Sequence, residues 1–248
     1  MLRLVMNRPE HMNAVDKIMH AELAAVFPRI GADQKIRVVV LTGAGRAFSS
    51  GGDLDWLGEL NGLAAYMDVM REGFAIISGI VNLPQPVIAA VNGPAVGLAA
   101  NMALFCDVSI MAESAYLADP HVPNVGIVAG DGGAVIWPLL VGHARAKHYL
   151  FSGERVGARK AEQIGLVTMA VADSELEDRV NQSAARLANG PAVALQLTKQ
   201  MVNRQLNEAI QRTLETSLAV EGLSFHSSDH REALQAMRER RKPKFRGM

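Results

Sequence analysis

Residues 89–107 read AAVNGPAVGLAANMALFCD, and this stretch decides the fold. The apolar run that ends at Val91 predicts a buried strand, and the turn residues Asn92-Gly93-Pro94 follow it directly. Small apolar residues from Gly97 to Phe105 then predict a helix. A helix that begins after such a turn presents backbone N–H groups without partners and a partial positive charge. This end of the helix therefore suits a negatively charged oxygen.

A second glycine-rich turn, GAGRAFSSGGDL at residues 43–54, follows the RVVVLT run of residues 37–42. That run is typical of a buried parallel strand, and Asp53 is placed to cap a following helix. Glycine and serine allow the backbone of the turn to come close to a ligand. An ordinary glycine-rich turn explains the same residues equally well, so the spacing alone leaves both interpretations open.

Short apolar runs alternate with helical patterns over most of the chain, which predicts an α/β core built on a parallel sheet. The predicted strands cover residues 2–6, 37–42, 86–91 and 107–112, and the helices between them cover residues 16–30, 64–81 and 97–105. After Gly142 the pattern is helical, over residues 144–151, 158–164, 175–188, 192–223 and 229–241. We therefore divide the chain into an α/β core, residues 1–190, and a C-terminal helical region, residues 191–248.

The composition excludes several classes of protein. The 25 Lys and Arg residues balance the 25 Asp and Glu residues. The chain therefore has no excess of positive charge that would favour binding to nucleic acid or to an anionic membrane surface. No apolar run is long enough to span a bilayer, and the N-terminus lacks the order of a signal peptide. The single cysteine, Cys106, excludes an internal disulfide and is typical of a small buried side chain. We expect a cytoplasmic protein without a membrane or nucleic-acid partner.

Four segments carry a resemblance to a known family: NRPEHMNAVD near the start, the two turn-containing segments, and ERRKPKF near the end. In this order they resemble the crotonase (enoyl-CoA hydratase/isomerase) superfamily. The resemblance implies a ClpP-like spiral of repeated ββα units with C-terminal helices that mediate trimerisation, and hence a homotrimer or hexamer. Members usually have another strand before the NRP motif, and this chain starts late or lacks that strand.

The resemblance implies an acyl-CoA substrate, with coenzyme A as part of the substrate and no separate cofactor. It assigns the oxyanion hole to the backbone N–H groups of Gly52 and Leu98. Leucine is tolerable at the second position because only the backbone is required, although its side chain narrows the space beside the carbonyl. The resemblance also implies CoA contacts near four positions: Ala14, Arg46, Phe48, and Lys242 or Lys244.

The acid–base residues depart from the family pattern. Hydratases of the family use two glutamates, and this chain has Asn101 at the first position and His121, or Val122 by another count, at the second. Proton transfer at neutral pH requires groups that titrate, so His121 and Asp131 become the candidates. A hydrogen-bonded buried histidine and a helix N-cap explain the same two residues about as well.

The segment ADPHVPNVGIVAGDGGAVIW, residues 118–137, also resembles the β-diketone hydrolase branch of the superfamily. In that branch a histidine after proline and an aspartate in a GDG turn act together in cleaving a carbon–carbon bond. His121 and Asp131 match these positions, with one extra residue between them. Three hypotheses follow: an enoyl-CoA hydratase or isomerase, which we favour, a β-diketone hydrolase, and a non-catalytic CoA-binding protein.

The remaining polar and aromatic residues indicate little chemistry. No cluster of His, Cys, Asp and Glu has the spacing of a zinc site, and no dinucleotide-binding fingerprint is present, so we expect no metal. Trp56 and Trp137 are predicted to pack in the core, with lining of an acyl tunnel as the alternative. His226 and His230 are predicted to lie at the surface or between subunits.

Overall fold

The computed structural model describes residues 1–60 and 62–247. Within them the chain forms these strands: β1 (Leu2–Met6), β2 (Val39–Gly43), β3 (Val87–Val91), β4 (Ala95–Val96), β5 (Val108–Ala112), β6 (Tyr116–Ala118), β7 (Val156–Gly157) and β8 (Met169–Val171). The helices are α1 (Lys17–Ala32), α2 (Leu54–Glu59), α3 (Leu63–Asn82), α4 (Leu98–Phe105), α5 (Gly133–Val141), α6 (His143–Ser152), α7 (Ala158–Gln163), α8 (Leu176–Ala188), α9 (Ala192–Ser224) and α10 (Ser228–Arg238).

The main sheet is parallel throughout, with the strand order β1-β2-β3-β5-β8. Alternate residues of its central strands point to opposite faces. Val39 and Leu41 pack into the larger core beneath α1, α3 and α4, whereas Val38 and Val40 pack against α8. Both faces of the sheet are therefore covered, which explains why these strands are continuous apolar runs and confirms that they are buried.

A small second sheet supports the turn before α4. Strand β6 pairs in parallel with β4 and antiparallel with β7. The amide of Gly97, directly before α4, donates to the carbonyl oxygen of Ala118 at the end of β6. The start of α4 and the residues that follow β6 are therefore held together.

The structure confirms the predicted α/β core and helical C-terminal region, and it adds elements that the sequence pattern did not predict. These are β4, β6, β7 and β8. The helices that the sequence suggested after Asp53 and after the glycine-rich turn at Asp131 are present as α2 and α5. Strands β4, β6, β7 and β8 have two or three residues each, too few to establish a period. The boundary at residues 190 and 191 and the trimer remain predictions.

The long helix α9 packs against α3 and α5 and brings the C-terminal region onto the core. Its Lys199 ammonium group is buried and donates to the carbonyl oxygens of Ile80 and Gln85 and to Asp107 Oδ2, at 3.4, 3.2 and 2.7 Å. Asp107 also accepts from the amide of Val87, at 2.7 Å. One cation thus joins α9 to the end of α3 and to the residues before β3 and β5.

None of the helices that the structure describes has the length and apolarity to cross a lipid bilayer.

We predict that Lys199→Met lowers the free energy of unfolding by about 1.5 kcal/mol, because it removes the cation from the partly exposed Asp107 carboxylate and leaves the carbonyl oxygens of Ile80 and Gln85 without their donor. Chemical denaturation measures the difference. Lys147→Met, on the exposed part of α6, is the control and should change stability by less than about 0.5 kcal/mol. Equal stability of the two variants would contradict the role assigned to Lys199.

Candidate active site

A cavity of about 560 Å³ lies where the two glycine-rich turns meet the C-terminal helices. Its wall includes Gly52 and Leu98 from the turns, together with His121 and Asp131. Helices α3, α9 and α10 contribute mainly apolar side chains to the rest of the wall. All four residues predicted to act in catalysis therefore border one cavity.

The two turns touch each other through their backbones. Gly51 has a φ of 88°, and a Cβ atom on it would lie 2.7 Å from the carbonyl oxygen of Val96. Ser49 pairs with the neighbouring segment through both its N–H and its carbonyl oxygen, with Pro94 and Val96 as partners. Only glycine at position 51 allows this approach without strain.

The amides of Gly52 and Leu98 differ from those beside them. The amides of Asp53 and Gly97 donate to Val15 and Ala118, but within the described part of the chain those of Gly52 and Leu98 have no acceptor. Leu98 is the first residue of α4, where helix geometry supplies no acceptor. Two free N–H groups thus border the cavity, one from each turn.

Four titratable side chains gather beside these amides. His121, the first residue of a single π-helical turn at His121–Val125, places Nδ1 2.5 Å from Asp119 Oδ1. Its Nε2 lies 3.4 Å from Asp131 Oδ2 and 3.9 Å from Glu221 Oε1. The Asp119 side chain is fully buried, and the other three side chains are 10–13% exposed. The imidazole therefore sits among three carboxyl groups.

The buried amide of Asn101 orients two of these carboxyl groups. Its Nδ2 donates to Asp131 Oδ1 at 2.8 Å and to Asp119 Oδ2 at 3.3 Å. The indole N–H of Trp137 donates to Asn101 Oδ1 at 3.0 Å and so fixes which way the amide faces. Asn101 thus holds the carboxylates in place.

The charges of the cluster follow from its burial and its mixed signs. Burial alone would lower the pKa of His121, but the carboxylates of Asp131 and Asp119 outweigh it and raise that pKa well above its usual value. Burial also raises the pKa of Asp131, to about 6, despite the opposing attraction of His121. Burial and the charge of Asp131 raise the pKa of Glu221 well above its usual value. Near neutral pH the cluster therefore holds an imidazolium and an ionised Asp131, and the raised pKa of Glu221 favours its protonated form.

One possible ligand atom from each of Asp119, His121 and Asp131 lies within 4.8 Å of the others. These atoms already contact one another, and a protonated imidazole has no lone pair to give to a metal ion. The arrangement fits an acid–base cluster better than a metal site, and the predicted absence of a metal remains a prediction.

Comparison with known proteins agrees with this geometry. The sequence profile of the family described as "Enoyl-CoA hydratase/isomerase" matches residues 1–248. A "Probable enoyl-CoA hydratase" of Rhodobacter capsulatus is 37% identical over 244 residues, which cover 98% of this chain and 93% of that protein. The chain belongs to the enoyl-CoA hydratase/isomerase (crotonase) family.

Two solved structures show how far the similarity in fold extends. An enoyl-CoA hydratase/isomerase from Mycobacterium paratuberculosis has a TM-score of 0.90 and 38% identity, with 94% of both chains covered. A β-diketone hydrolase from the cyanobacterium Anabaena has a TM-score of 0.80 and 30% identity, with 86% of this chain and 84% of that one covered. The crotonase fold predicted from the sequence is thereby confirmed.

The four predicted CoA contacts occupy different environments. Ala14 lines the cavity, whereas Arg46 and Lys242 are exposed residues outside the cavity wall. The Phe48 side chain is fully buried in the core, so only its backbone is available to a ligand. Its carbonyl oxygen already accepts from Asn13 Nδ2, at 3.3 Å. Of the four positions, the geometry thus favours Ala14.

Three expectations about other side chains are corrected by the structure. Asp131 is not an N-cap, because Gly132 precedes α5 and the carboxylate bonds to Asn101. Trp56 lines the cavity, whereas Trp137 is buried as predicted. His230 is buried and its Nδ1 lies 2.8 Å from the Val125 carbonyl oxygen, so the predicted surface position is wrong.

Asp119 and Glu221 were not among the predicted site residues. Asp119 stands two residues before His121, and its position in the ADPH segment was the available signal. Glu221 lies on α9 and reaches the cluster only through tertiary packing. An acidic residue in a long helix is usually solvated, so the sequence carries no signal for its role.

We predict that Gly97→Ala reduces activity about 100-fold, because a Cβ atom there would lie 3.1 Å from Cε1 of His121 and the φ of 55° is strained for alanine. Gly157→Ala is the control, since a Cβ atom there has no neighbour within 4 Å. Steady-state kinetics and circular dichroism of both variants test this. Full activity in Gly97→Ala would show that the His121 ring need not lie there.

We predict that Asn101→Glu, which restores the glutamate of the family's hydratases, fails to raise hydratase activity. A third carboxyl group would face Asp119 and Asp131, and we expect a loss of about 3 kcal/mol of stability. Gln211→Glu on the exposed side of α9 controls for the added charge. A stable and faster Asn101→Glu variant would contradict the role of the Asn101 amide.

Proposed function

We propose that this chain is an acyl-CoA enzyme of the enoyl-CoA hydratase or isomerase type. In this proposal the thioester oxygen accepts hydrogen bonds from the amides of Gly52 and Leu98. One observation carries it: the His121 ring lies against Gly97, the residue directly before the free amide of Leu98. Donors for an oxyanion and groups that move protons thus share one cavity.

The paired amides suit the charge that develops during such a reaction. Removing a proton beside the thioester, or adding water to a conjugated double bond, shifts negative charge onto the carbonyl oxygen. Rigid backbone donors stabilise that charge without reorganising, and each contributes on the order of 3 kcal/mol to the transition state. A hydratase and an isomerase both use this arrangement.

Asp131 and His121 are proposed to transfer the protons. Asp131 is the base, since a carboxylate with a pKa of about 6 is ionised at neutral pH and more basic than an ordinary aspartate. His121 holds its proton on Nε2 between Asp131 and Glu221 and stabilises the ionised form of Asp131. Glu221, whose raised pKa keeps it protonated, is available as a second proton donor.

Coenzyme A is part of the substrate in this proposal, and no further cofactor takes part. We propose that Ala14 borders the CoA at the cavity. The exposed Lys242 is proposed to bind CoA phosphates of a neighbouring copy in a homotrimer or hexamer. Sedimentation analysis and CoA affinity of a Lys242→Ala variant test these two points.

We predict that purified protein consumes crotonyl-CoA with loss of the conjugated-thioester absorbance, and that Asp131→Asn lowers kcat at least 100-fold. Exchange of α-protons of butyryl-CoA with deuterated water, followed by NMR, reports enolate formation whether the enzyme is a hydratase or an isomerase. Asp178→Asn, on the exposed side of α8, is the matched control. Undiminished exchange in Asp131→Asn would remove Asp131 from the mechanism.

We predict that kcat falls as the pH drops through about 6, because protonation of Asp131 removes the base. In His121→Gln the residual activity should fall at a higher pH, because the imidazolium no longer lowers the pKa of Asp131. Complete pH–rate profiles of both proteins decide this. A shift to lower pH would contradict the proposed charges.

The second candidate function is hydrolysis of a β-diketone, favoured by the close contact of His121 with Asp131 and the similarity to the Anabaena hydrolase. A histidine that activates water must be neutral, whereas the surrounding carboxylates keep His121 protonated. The charges therefore favour the acyl-CoA reaction. Cleavage of a cyclic β-diketone without CoA would make the hydrolase the better-supported function.

The non-catalytic alternative would be supported by a protein that bound CoA but showed neither turnover nor proton exchange.

A further inference from the structure

A second histidine borders the same cavity and has no part in the proposed proton transfers. His20 lies on α1 with its side chain only 5% exposed. Its Nδ1 is 2.7 Å from Glu72 Oε2 on α3. Its Nε2 has no hydrogen-bond partner within the described part of the chain, yet it keeps access to the cavity. A polar atom of an otherwise buried side chain thus faces the cavity and is available to a ligand there.

The surroundings of His20 are apolar and lie away from the thioester position. Helix α1 is capped by Asp16, directly after the residue that pairs with Gly52. At about 1.5 Å per residue, His20 lies about 6 Å further along that helix. Its ring packs 5.2 Å from that of Trp56, and Leu218 adds an apolar surface to the wall. A polar atom that points into a cavity beside an aromatic ring is typical of a specificity contact.

The pairing with Glu72 determines what His20 presents. A carboxylate only accepts, so the proton of a neutral imidazole stays on Nδ1 and Nε2 keeps its lone pair. Burial lowers the pKa of His20 more than Glu72 raises it, which favours this neutral form. The exposed nitrogen is therefore an acceptor. A ligand hydroxyl can donate a hydrogen bond to this nitrogen. A ketone oxygen has only lone pairs and would repel it, and a methyl group would leave it without a hydrogen-bond partner.

We propose that His20 selects acyl-CoA substrates that carry a hydroxyl group on the acyl chain, several bonds from the thioester. This rests on the proposed function only in that a CoA thioester occupies the cavity. Glu72 does not line the cavity and acts as a positioning residue, because it sets which nitrogen of His20 carries the proton.

Binding of non-reacting, saturated ligands tests this without any turnover. The probes are hexanoyl-CoA and octanoyl-CoA, unsubstituted or with a hydroxyl or a ketone at the penultimate carbon. Calorimetry should show the hydroxyl form of at least one chain length binding about tenfold more tightly than its unsubstituted and ketone counterparts. In His20→Phe, which keeps an aromatic ring beside Trp56, this preference should disappear.

Glu72→Gln separates hydrogen bonding from shape. A glutamine both donates and accepts, so Nε2 of His20 can then carry the proton and the ketone form should gain affinity relative to the hydroxyl form. Glu22→Gln, on the exposed face of α1, should retain the wild-type preference.

Equal affinity for hydroxyl and unsubstituted forms in the wild-type protein would overturn the role of His20 and leave the proposed function standing. A hydroxyl preference that survives in His20→Phe would do the same. Failure of every CoA thioester to bind would overturn the proposed function itself.

Discussion

The site depends on one buried amide that holds two carboxylates. Asn101 Nδ2 donates to both Asp119 and Asp131, and Trp137 keeps the amide from turning. A carboxylate in place of the buried Asn101 would face two like charges, at a cost that one neighbouring imidazolium does not offset. Asn101 is therefore a structural support of the cluster, and in the proposed mechanism the neighbouring Asp131 and His121 transfer the protons.

The same constraint explains the charge state of the cluster. Three carboxyl groups surround one imidazole, so they cannot all be ionised at low cost. Asp119 is the most deeply buried, but its contacts with His121 and Asn101 lower its pKa. Glu221 has no hydrogen bond that favours its charged form within the described residues, and it retains the proton. An ionised Asp131 and a Glu221 whose raised pKa favours the protonated form thus lie in one cavity.

The sequence predicted those parts of the fold and site that depend on local pattern. The strands at residues 37–42 and 86–91 were correctly placed because burial on both faces leaves a continuous apolar run. His121 and Asp131 were predicted as a pair through the PHVP and GDGG segments. Strands β4, β6, β7 and β8 were missed because two or three residues are too few to establish a period. Glu221 was missed because its contact with His121 spans 100 residues of chain, which no local pattern reveals.

The two sides of the cavity have different origins. The amides of Gly52 and Leu98 belong to turns whose backbones touch, and they leave little room for change. Glu221, Leu218 and much of the apolar wall belong to α9 and α10, which pack on the core through side chains. In the proposed mechanism, oxyanion stabilisation and substrate shape therefore depend on separate parts of the chain. Substitutions in α9 and α10 can change the shape of the cavity while the amides of Gly52 and Leu98 stay where they are, a division that allows new specificities to evolve around an unchanged pair of donors.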